Sequence, residues 1–417
     1  QLNGFMFAKD NINGFSLDIL PQEYPSFGNT DLRSPAYQTQ FEDGSTISDL
    51  QYLSHEIFSG KKKLKGLPST YVEKNEEAET LEITLKDELS GLLVVLSYTV
   101  YKDYDVITRS SKIINSSSKD LKVLRALSAS VDFSDDNFDL LQLSGSWSRE
   151  RSIIKRALVS GNQSIESRRG ASSPQQNPFI ALMRKDADED KGEVYGINLV
   201  YSGNFLANVE VCQYGTTRVQ IGINPFDFSW LLKPGEDFQT PEVVMVYSDS
   251  GLGKMSQTFH NLYRKRLCRG NYRDKERPIL INNWEATYFD FTEESIKNIA
   301  REAKKLGIEL FVLDDGWFGN RNDDTTSLGD WYVNKEKLPN GLKKLSNDIN
   351  EIGLKFGLWF EPEMVSENSN LYRAHPDWCI HVKGRERSLG RNQLVLDFSR
   401  IEVCDRSEER RVGKECP

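Results

Sequence analysis

The sequence has no long hydrophobic run, no excess of positive charge and few cysteines. Its 417 residues carry 53 Lys and Arg against 62 Asp and Glu, a formal net charge of −9. Such an acidic chain disfavours nucleic acid as a partner, because phosphate binding needs clustered Lys and Arg. No apolar segment reaches the roughly 18 residues of a membrane-spanning helix. We therefore expect neither a nucleic-acid partner nor a membrane partner.

The cysteines are too scattered for a disulfide framework. They number five, none is part of a CxxC pair, and they are Cys212, Cys268, Cys379, Cys404 and Cys416. This spacing also fits no zinc site, and it indicates a reducing compartment. The N-terminus has no basic segment followed by an apolar one, so we expect no signal peptide and a cytoplasmic location. The chain begins at Gln1 rather than Met, which leaves the position of the true start open.

Residues 1–250 alternate between short β-rich segments and polar turns. The clearest strand candidates are 81–85, Leu92–Tyr101, Val194–Val200 and 243–247. This spacing predicts an N-terminal antiparallel β-sandwich over residues 1–250. Apolar residues at helical spacing then predict a connecting helix within a linker at residues 251–277; they are Met255, Phe259, Leu262 and Tyr263.

From residue 278 the hydrophobic period changes to an alternation of strands and helices. The predicted strands are 279–283, 308–313 and 355–360. Between them, one helix is expected to begin at the N-cap Thr292 and end at Gly307, and a second to end at Gly353. This order predicts a parallel sheet covered by helices, with a (β/α)₈ barrel as the leading candidate. A full barrel takes about 250 residues, so residues 278–404 provide only about three strands of a partial barrel, or else a small open sheet.

Each of these strands ends in carboxylates or amides beside tryptophan. The three strand ends read Asn282-Asn283-Trp284-Glu285, Asp314-Asp315-Gly316-Trp317 and Trp359-Phe360-Glu361-Pro362-Glu363. The carboxyl ends of parallel strands carry the active site in β/α proteins. Carboxylates accept hydrogen bonds from sugar hydroxyls, and indole faces cover the apolar face of a pyranose.

The same acids leave several roles open. Glycoside hydrolysis needs a carboxylate pair, so two of Asp314, Asp315, Glu361 and Glu363 are candidates for the general acid and the nucleophile or base. Each acid taken alone also fits a turn, a helix cap or an ion pair with Arg. A divalent-metal site is a weaker rival, since the neighbours are tryptophans and no histidine is close.

Several segments resemble bacterial α-galactosidases of glycoside hydrolase family 36. In the second half they are 311–318, 329–331, 357–365, 375–378 and 389–397, and in the first half 31–37, 145–147, 169–173, 176–179, 232–236 and 240–242. The resemblance covers residues 1–403. It implies an N-terminal β-sandwich, a (β/α)₈ barrel and a small C-terminal β domain, assembled into a homotetramer.

The activity that the resemblance implies is the release of terminal α-galactosyl groups from oligosaccharides such as raffinose and melibiose. Family members act with retention of configuration and need neither a metal nor a cofactor. Their nucleophile belongs to a Lys-Trp-Asp motif after strand four, and their acid/base is an Asp after strand six. This sequence contains no Lys-Trp-Asp. We therefore expect a chain truncated within the barrel, with both catalytic residues beyond its end and no activity of its own.

The resemblance carries over to a sugar-binding wall. By motif, Asp314 and Asp315 are expected to accept hydrogen bonds from the galactose 4- and 6-hydroxyls, Trp284 and Trp359 to line the pocket, and Arg391 to bond the sugar or an acid beside it.

Other positions receive smaller roles from the same resemblance. Asp31 is expected in a loop that reaches the site of a neighbouring subunit, and Glu361 and Glu363 become supporting residues rather than catalysts. Residues 405–417 depart from the family pattern and are predicted to be a foreign tail, with a solvated charged helix as the alternative. The alternative functions are an α-N-acetylgalactosaminidase of the same family and a non-catalytic sugar-binding remnant.

Overall fold

The computed structural model describes residues 17–28 and 30–412. The chain divides into two compact units, Gln1–Asp274 and Lys275–Pro417. The predicted boundary at 277/278 is therefore three residues from the observed one. No helix among the described residues is long and apolar enough to cross a membrane.

The first unit is built from antiparallel strands. They are β1 (Tyr37–Gln40), β2 (Gln51–Ser59), β3 (Ala78–Lys86), β4 (Leu92–Tyr101), β5 (Val106–Asn115), β6 (Leu121–Phe133), β7 (Phe138–Ser146), β8 (Arg149–Ala157), β9 (Gly161–Glu166), β10 (Gln176–Arg184), β11 (Val194–Val200), β12 (Phe205–Val211), β13 (Thr217–Ile223), β14 (Trp230–Leu232), β15 (Asp237–Gln239) and β16 (Glu242–Ser248). Ten strands form one sheet, in the order β2-β3-β4-β5-β16-β11-β10-β7-β8 with β15 beside β5. Six form the other, in the order β1-β6-β13-β12-β9 with β14 beside β6. The predicted β-sandwich is confirmed.

Alternation along the strands explains this packing. In β4, Leu92, Val94 and Leu96 are at most 1% exposed, whereas the residues between them are only half-buried. Successive side chains of a strand point to opposite faces of the sheet, so every second residue of β4 lies on the face that joins the apolar core.

A helix, α1 (Gly251–Arg266), completes the first unit. Its buried face carries Met255, Phe259 and Leu262, as the spacing predicted. A Cβ on Gly196 of β11 would lie 2.5 Å from the Met255 sulfur and 2.7 Å from the Phe259 ring. The helix therefore packs closely on the sheet and groups with the first unit. The linker at residues 251–277 stays a prediction.

The second unit contains a parallel sheet in the order β17-β18-β19. Its strands are β17 (Leu280–Asn282), β18 (Leu310–Leu313) and β19 (Lys355–Leu358), and a two-stranded sheet pairs β20 (Met364–Val365) with β21 (Leu394–Val395). Its helices are α2 (Trp284–Thr287), α3 (Glu293–Lys305), α4 (Gly341–Ile352), α5 (Asn370–Ala374) and α6 (Ile401–Val412). The predicted β/α alternation with three parallel strands is thereby confirmed.

Helix α6 extends through most of the predicted foreign tail. It covers residues 405–412, whereas residues 413–417 lie outside the described part of the chain. Val403 in its first turn is 1% exposed and joins a small apolar cluster with Leu371 and Leu394. The helix matches the charged-helix alternative in secondary structure, and the foreign origin of the tail stays a prediction.

The start of α3 offers a local test of helix capping. Thr292 accepts a hydrogen bond from the Ser295 amide, and the Ser295 hydroxyl accepts one from the Thr292 amide. We expect Thr292→Ala to lower the free energy of unfolding by about 1 kcal/mol, because an amide of the first turn loses its partner. Thr292→Ser keeps the hydroxyl and serves as the control in urea unfolding; equal losses in both variants would contradict the capping role.

Candidate active site

Asp314 follows strand β18 and is fixed by the end of strand β17. Its Oδ2 accepts a hydrogen bond from the Asn282 amide, and its backbone N–H donates to Asn283 Oδ1 at 2.8 Å. Asp314 Oδ1 accepts from the Asp315 backbone N–H at 2.7 Å. These bonds are possible because neighbouring parallel strands end at the same edge of the sheet. Asp314 remains half-buried, so its carboxylate is oriented but still reachable by a ligand.

Asp315 is buried and paired with Arg321, which is 0% exposed. Arg321 Nε donates to Asp315 Oδ1 at 3.0 Å, and the Arg321 Nη2 donates to Oδ2 at 2.8 Å. The remaining guanidinium nitrogen, Nη1, donates to the Thr326 carbonyl at 2.8 Å. A two-point contact of this kind fixes the plane of the carboxylate as well as its position.

The loop between Asp315 and Arg321 is closed by Lys337. Its ammonium donates to the carbonyl oxygens of Gly316, at 3.0 Å, and Arg321, at 2.8 Å. Burial lowers the pKa of Lys337, while the nearby Asp315 carboxylate raises it. Gly316 has φ 96°, a left-handed conformation that glycine adopts without strain. Lys337 and Gly316 together shape the turn that carries Asp315 and Arg321.

Aromatic side chains pack beneath the third strand end. The Trp317 indole N–H donates to the Trp359 carbonyl at 3.1 Å. The Trp359 ring lies 6.5 Å from the Phe318 ring at an interplanar angle of 14°, and 6.3 Å from Trp331. Trp317, Phe318 and Trp331 are buried, whereas Trp359 is half-buried. The half-buried Trp359 ring therefore packs against buried aromatic side chains, which fix its position.

Trp284 opens the short helix α2 directly after strand β17. Its backbone N–H donates to Asn282 Oδ1 at 2.7 Å. Its half-buried ring makes edge contacts with Tyr288 and Phe289, at centroid distances of 5.2 and 5.0 Å. Since Asn282 also holds Asp314, the indole and the carboxylate share one positioning side chain.

Glu361 follows strand β19, and several charged side chains act on its carboxyl group. Burial raises the pKa of Glu361 above its ordinary value. The negative charge of Glu363 also raises it, and the positive charge of Arg391 offsets part of this rise. The charges of Arg321 and Asp315 also act on the Glu361 carboxyl group. Glu361 Oε2 is buried and has no hydrogen-bond partner among the described residues.

Arg391 lies on a tight turn between β20 and β21. Gly390 and Gln393 exchange backbone hydrogen bonds of 3.0 and 3.1 Å, and the two residues between them have positive φ: 55° at Arg391 and 61° at Asn392. This is the pattern of a type I′ hairpin turn. The Arg391 side chain is exposed.

Asp31 lies in the first unit and is 3% exposed. It pairs with Arg33 at 2.9 Å and with Arg218 at 2.8 Å, and Arg218 also pairs with Asp132 at 2.8 Å. The expected role of Asp31 at a neighbouring subunit's site stays a prediction. In this chain its carboxylate already has two cationic partners.

Within residues 17–28 and 30–412, no group of three or more His, Cys, Asp and Glu side chains is arranged to hold a metal ion. The cysteines in that part of the chain, Cys212, Cys268, Cys379 and Cys404, are free thiols. Cys416 lies outside the described residues.

Comparison with known proteins identifies the family. Residues 3–233 match the glycosyl hydrolase family 36 N-terminal domain, and residues 237–410 match melibiase. The chain belongs to glycosyl hydrolase family 36. The α-galactosidase AgaA of Geobacillus stearothermophilus is 67% identical over 391 residues, which are 94% of this chain and 54% of AgaA.

Solved structures of the family have the same fold. The GH36 α-galactosidase AgaB of Geobacillus stearothermophilus superposes with a TM-score of 0.95 at 64% identity, over 97% of this chain and 56% of AgaB. AgaA variants in complex with stachyose and with raffinose superpose with a TM-score of 0.93 at 66% identity, over 95% of this chain and 55% of theirs. The chain thus spans about half the length of the family 36 relatives it matches.

Three positioning residues of the site had no individual signal in the sequence. Arg321 and Lys337 are two of 53 basic residues, and neither lies in a segment that pointed to sugar binding. Asn283 stands in a strand-end motif, but its part in holding the Asp314 backbone becomes visible only when two strands are adjacent.

Proposed function

We propose that the second unit binds the terminal galactosyl group of α-galactoside oligosaccharides, and that the whole protein hydrolyses them with retention. The observation that carries this proposal is that Asp314 and the Asp315–Arg321 pair lie together at one edge of the sheet, held by the end of the neighbouring strand. The charges of Asp315, Arg321 and Arg391 also act on Glu361, which follows the third strand. Solved structures of AgaA with raffinose and stachyose support the substrate class.

The two aspartates have complementary parts in this proposal. Asp314, oriented by Asn282 and half-buried, and Asp315 together accept hydrogen bonds from the galactose 4- and 6-hydroxyls. Asp315 accepts its sugar hydroxyl with a lone pair that Arg321 leaves unused, since an ionised carboxylate has about four acceptor sites. Two fixed acceptors select the axial 4-hydroxyl of galactose over the equatorial one of glucose.

Trp284 and Trp359 line the pocket, and Arg391 provides a cation opposite Glu361. The indole faces cover the C–H surface of the sugar, and the guanidinium donates to a hydroxyl or to the Glu361 carboxylate. Glu361 and Glu363 support the site rather than react. Catalysis in the whole protein belongs to an aspartate nucleophile and an aspartate acid/base outside this sequence.

Further proposals concern the assembly and location of the whole protein. It acts as a homotetramer in the cytoplasm, without a nucleic-acid or membrane partner. The reducing compartment is supported by the four free thiols among the described residues. Asp31 contributes to a neighbouring subunit's site in that assembly.

Sugar binding by the 417-residue protein tests the proposed site. We expect calorimetric titration to detect methyl α-galactoside and not methyl α-glucoside, because only the former has the axial 4-hydroxyl. Asp314→Ala should weaken binding about tenfold or more, the loss expected for charged hydrogen bonds. Asp324→Ala, which removes an exposed aspartate from a nearby loop, is the matched control. Equal binding of both sugars would refute the galactose specificity.

The assignment of catalysis needs a separate measurement. The purified 417-residue protein should release no nitrophenol from nitrophenyl α-galactoside above background, because its strand-end carboxylates bind and orient the sugar. Sustained turnover that Asp314→Ala or Asp315→Ala abolishes would show instead that these acids take part in the reaction.

A further inference from the structure

A cavity of about 220 Å³ opens on the ten-stranded sheet of the first unit. Its floor is formed by β4 and β5, where Ser97 pairs with Ser110 and Thr99 pairs with Thr108. Residues two apart along a strand point to the same face, so these side chains form a row of hydroxyls. The hydroxyls of Ser97, Thr108 and Ser110 make no hydrogen bond with any residue in the described parts of the chain.

The basic segment at residues 60–65 runs across this floor. Lys61 pairs with Glu242 of β16, and Lys62 pairs with Glu82 of β3 at 2.6 Å. In the sheet order, β3 and β16 flank the β4–β5 pair on opposite sides. The Lys61–Glu242 pair is buried, and Glu242 also accepts two hydrogen bonds from Thr70. The two ion pairs therefore hold the 60–65 segment across the hydroxyl row, one from β3 and one from β16.

Three further lysines around the cavity have ammonium groups without a partner among the described residues. Within residues 17–28 and 30–412, Lys63, Lys65 and Lys112 form no ion pair and donate no side-chain hydrogen bond. Of the carboxylates in the lining, only Asp237 has no lysine partner in the part of the chain that the structure describes. The lining is thus locally positive in a chain whose net charge is −9.

We propose that this cavity binds a phosphate dianion, as free phosphate or as the phosphate group of a small sugar ester. Ammonium and hydroxyl groups are both donors, and phosphate oxygens accept from both. A metal cation would be repelled by the lysines, and an uncharged sugar would leave their charge uncompensated. The volume suits a phosphate with a small organic group and lies below the range of about 300–1,000 Å³ typical of larger ligands.

Calorimetric titration of the 417-residue protein at constant ionic strength tests this site. The titrants are inorganic phosphate, glucose 6-phosphate and glucose; glucose is chosen because the galactose site proposed above rejects it. We expect saturable binding of a phosphate-bearing titrant and none of glucose. Tighter binding of glucose 6-phosphate would identify a sugar ester as the source, and tighter binding of inorganic phosphate the free anion.

Single charge removals locate the binding. Lys63→Met, Lys65→Met and Lys112→Met should each weaken phosphate binding about fivefold, as expected for partly exposed charged contacts. Lys254→Met, an exposed lysine of α1 outside the cavity lining, is the matched control and should bind like the parent protein. Lys63 and Lys65 lie on an exposed loop, so their variants should melt at the parent temperature. Absence of saturable binding by either phosphate titrant, or equal weakening by Lys254→Met, would overturn the proposal.

Discussion

Arg321→Met is expected to lower the free energy of unfolding of the second unit by about 3–5 kcal/mol. The Arg321 side chain is 0% exposed, and it donates to both oxygens of the buried Asp315. Methionine approximates the length of the arginine stem but removes every donor. The Asp315 carboxylate would then be buried without its cationic partner, and the Thr326 carbonyl would lose its donor.

Tryptophan fluorescence during urea unfolding reports on this unit. Five of the seven tryptophans belong to it, namely Trp284, Trp317, Trp331, Trp359 and Trp378. Arg301→Met is the control, because the exposed Arg301–Glu294 pair should contribute at most about 1 kcal/mol. Replacing the whole pair, as Asp315→Leu with Arg321→Met, should recover part of the stability because no buried charge is then left alone. A loss in Arg321→Met no larger than in Arg301→Met would contradict this account.

Arg218→Met should cost the first unit a similar amount, about 3–5 kcal/mol at neutral pH. Arg218 is 0% exposed and is bonded to the buried carboxylates of Asp31 and Asp132. Its removal leaves two carboxylates with Arg33 as their remaining cation in this cluster. Far-ultraviolet circular dichroism during urea unfolding follows this strand-rich unit. Arg168→Met, at an exposed pair with Glu166, is the control.

The cost of Arg218→Met should decrease in acid. Burial by itself raises the pKa of Asp31, but the Arg33 hydrogen bond and the Arg218 charge outweigh it and lower the pKa below its ordinary value. A lowered pKa stabilises the folded state above the unfolded-state pKa of about 4, and that stabilisation is lost as the pH falls through the folded-state pKa. Without Arg218 the variant binds a proton more readily when folded. A cost that grows between pH 7 and pH 4 would show that Asp31 is not the titrating group.

The features that the sequence predicted are local ones. Thr292 indicates the start of α3 because it caps the helix, and Gly353, with φ 96°, indicates the end of α4. The strands β17, β18 and β19 could be predicted because each is a short apolar run next to residues that begin or end a helix. Their parallel order then followed from the helices that connect them.

Features that depend on distant parts of the chain could not be predicted in the same way. Lys61 lies in a segment that the sequence describes only as basic, yet its partner Glu242 is in β16. Strand β8 lacks the expected alternation because nearly all of its residues are exposed, including Ile153 and Ile154. For the site, motif resemblance pointed to Asp315, but not to Arg321 across a loop that folds back through Gly316.

Arg391 illustrates a conflict between the backbone geometry of a turn and the sugar-binding role proposed above for its side chain. Both central residues of its turn have positive φ, a conformation that disfavours side chains with a Cβ and that glycine adopts freely. Glycine at position 391 would suit the hairpin better, yet it would delete the cation that acts on Glu361. Selection for stability alone and selection for the proposed sugar binding would therefore favour different residues there. In engineering for heat resistance, position 391 should accordingly be held constant even though its backbone geometry invites substitution.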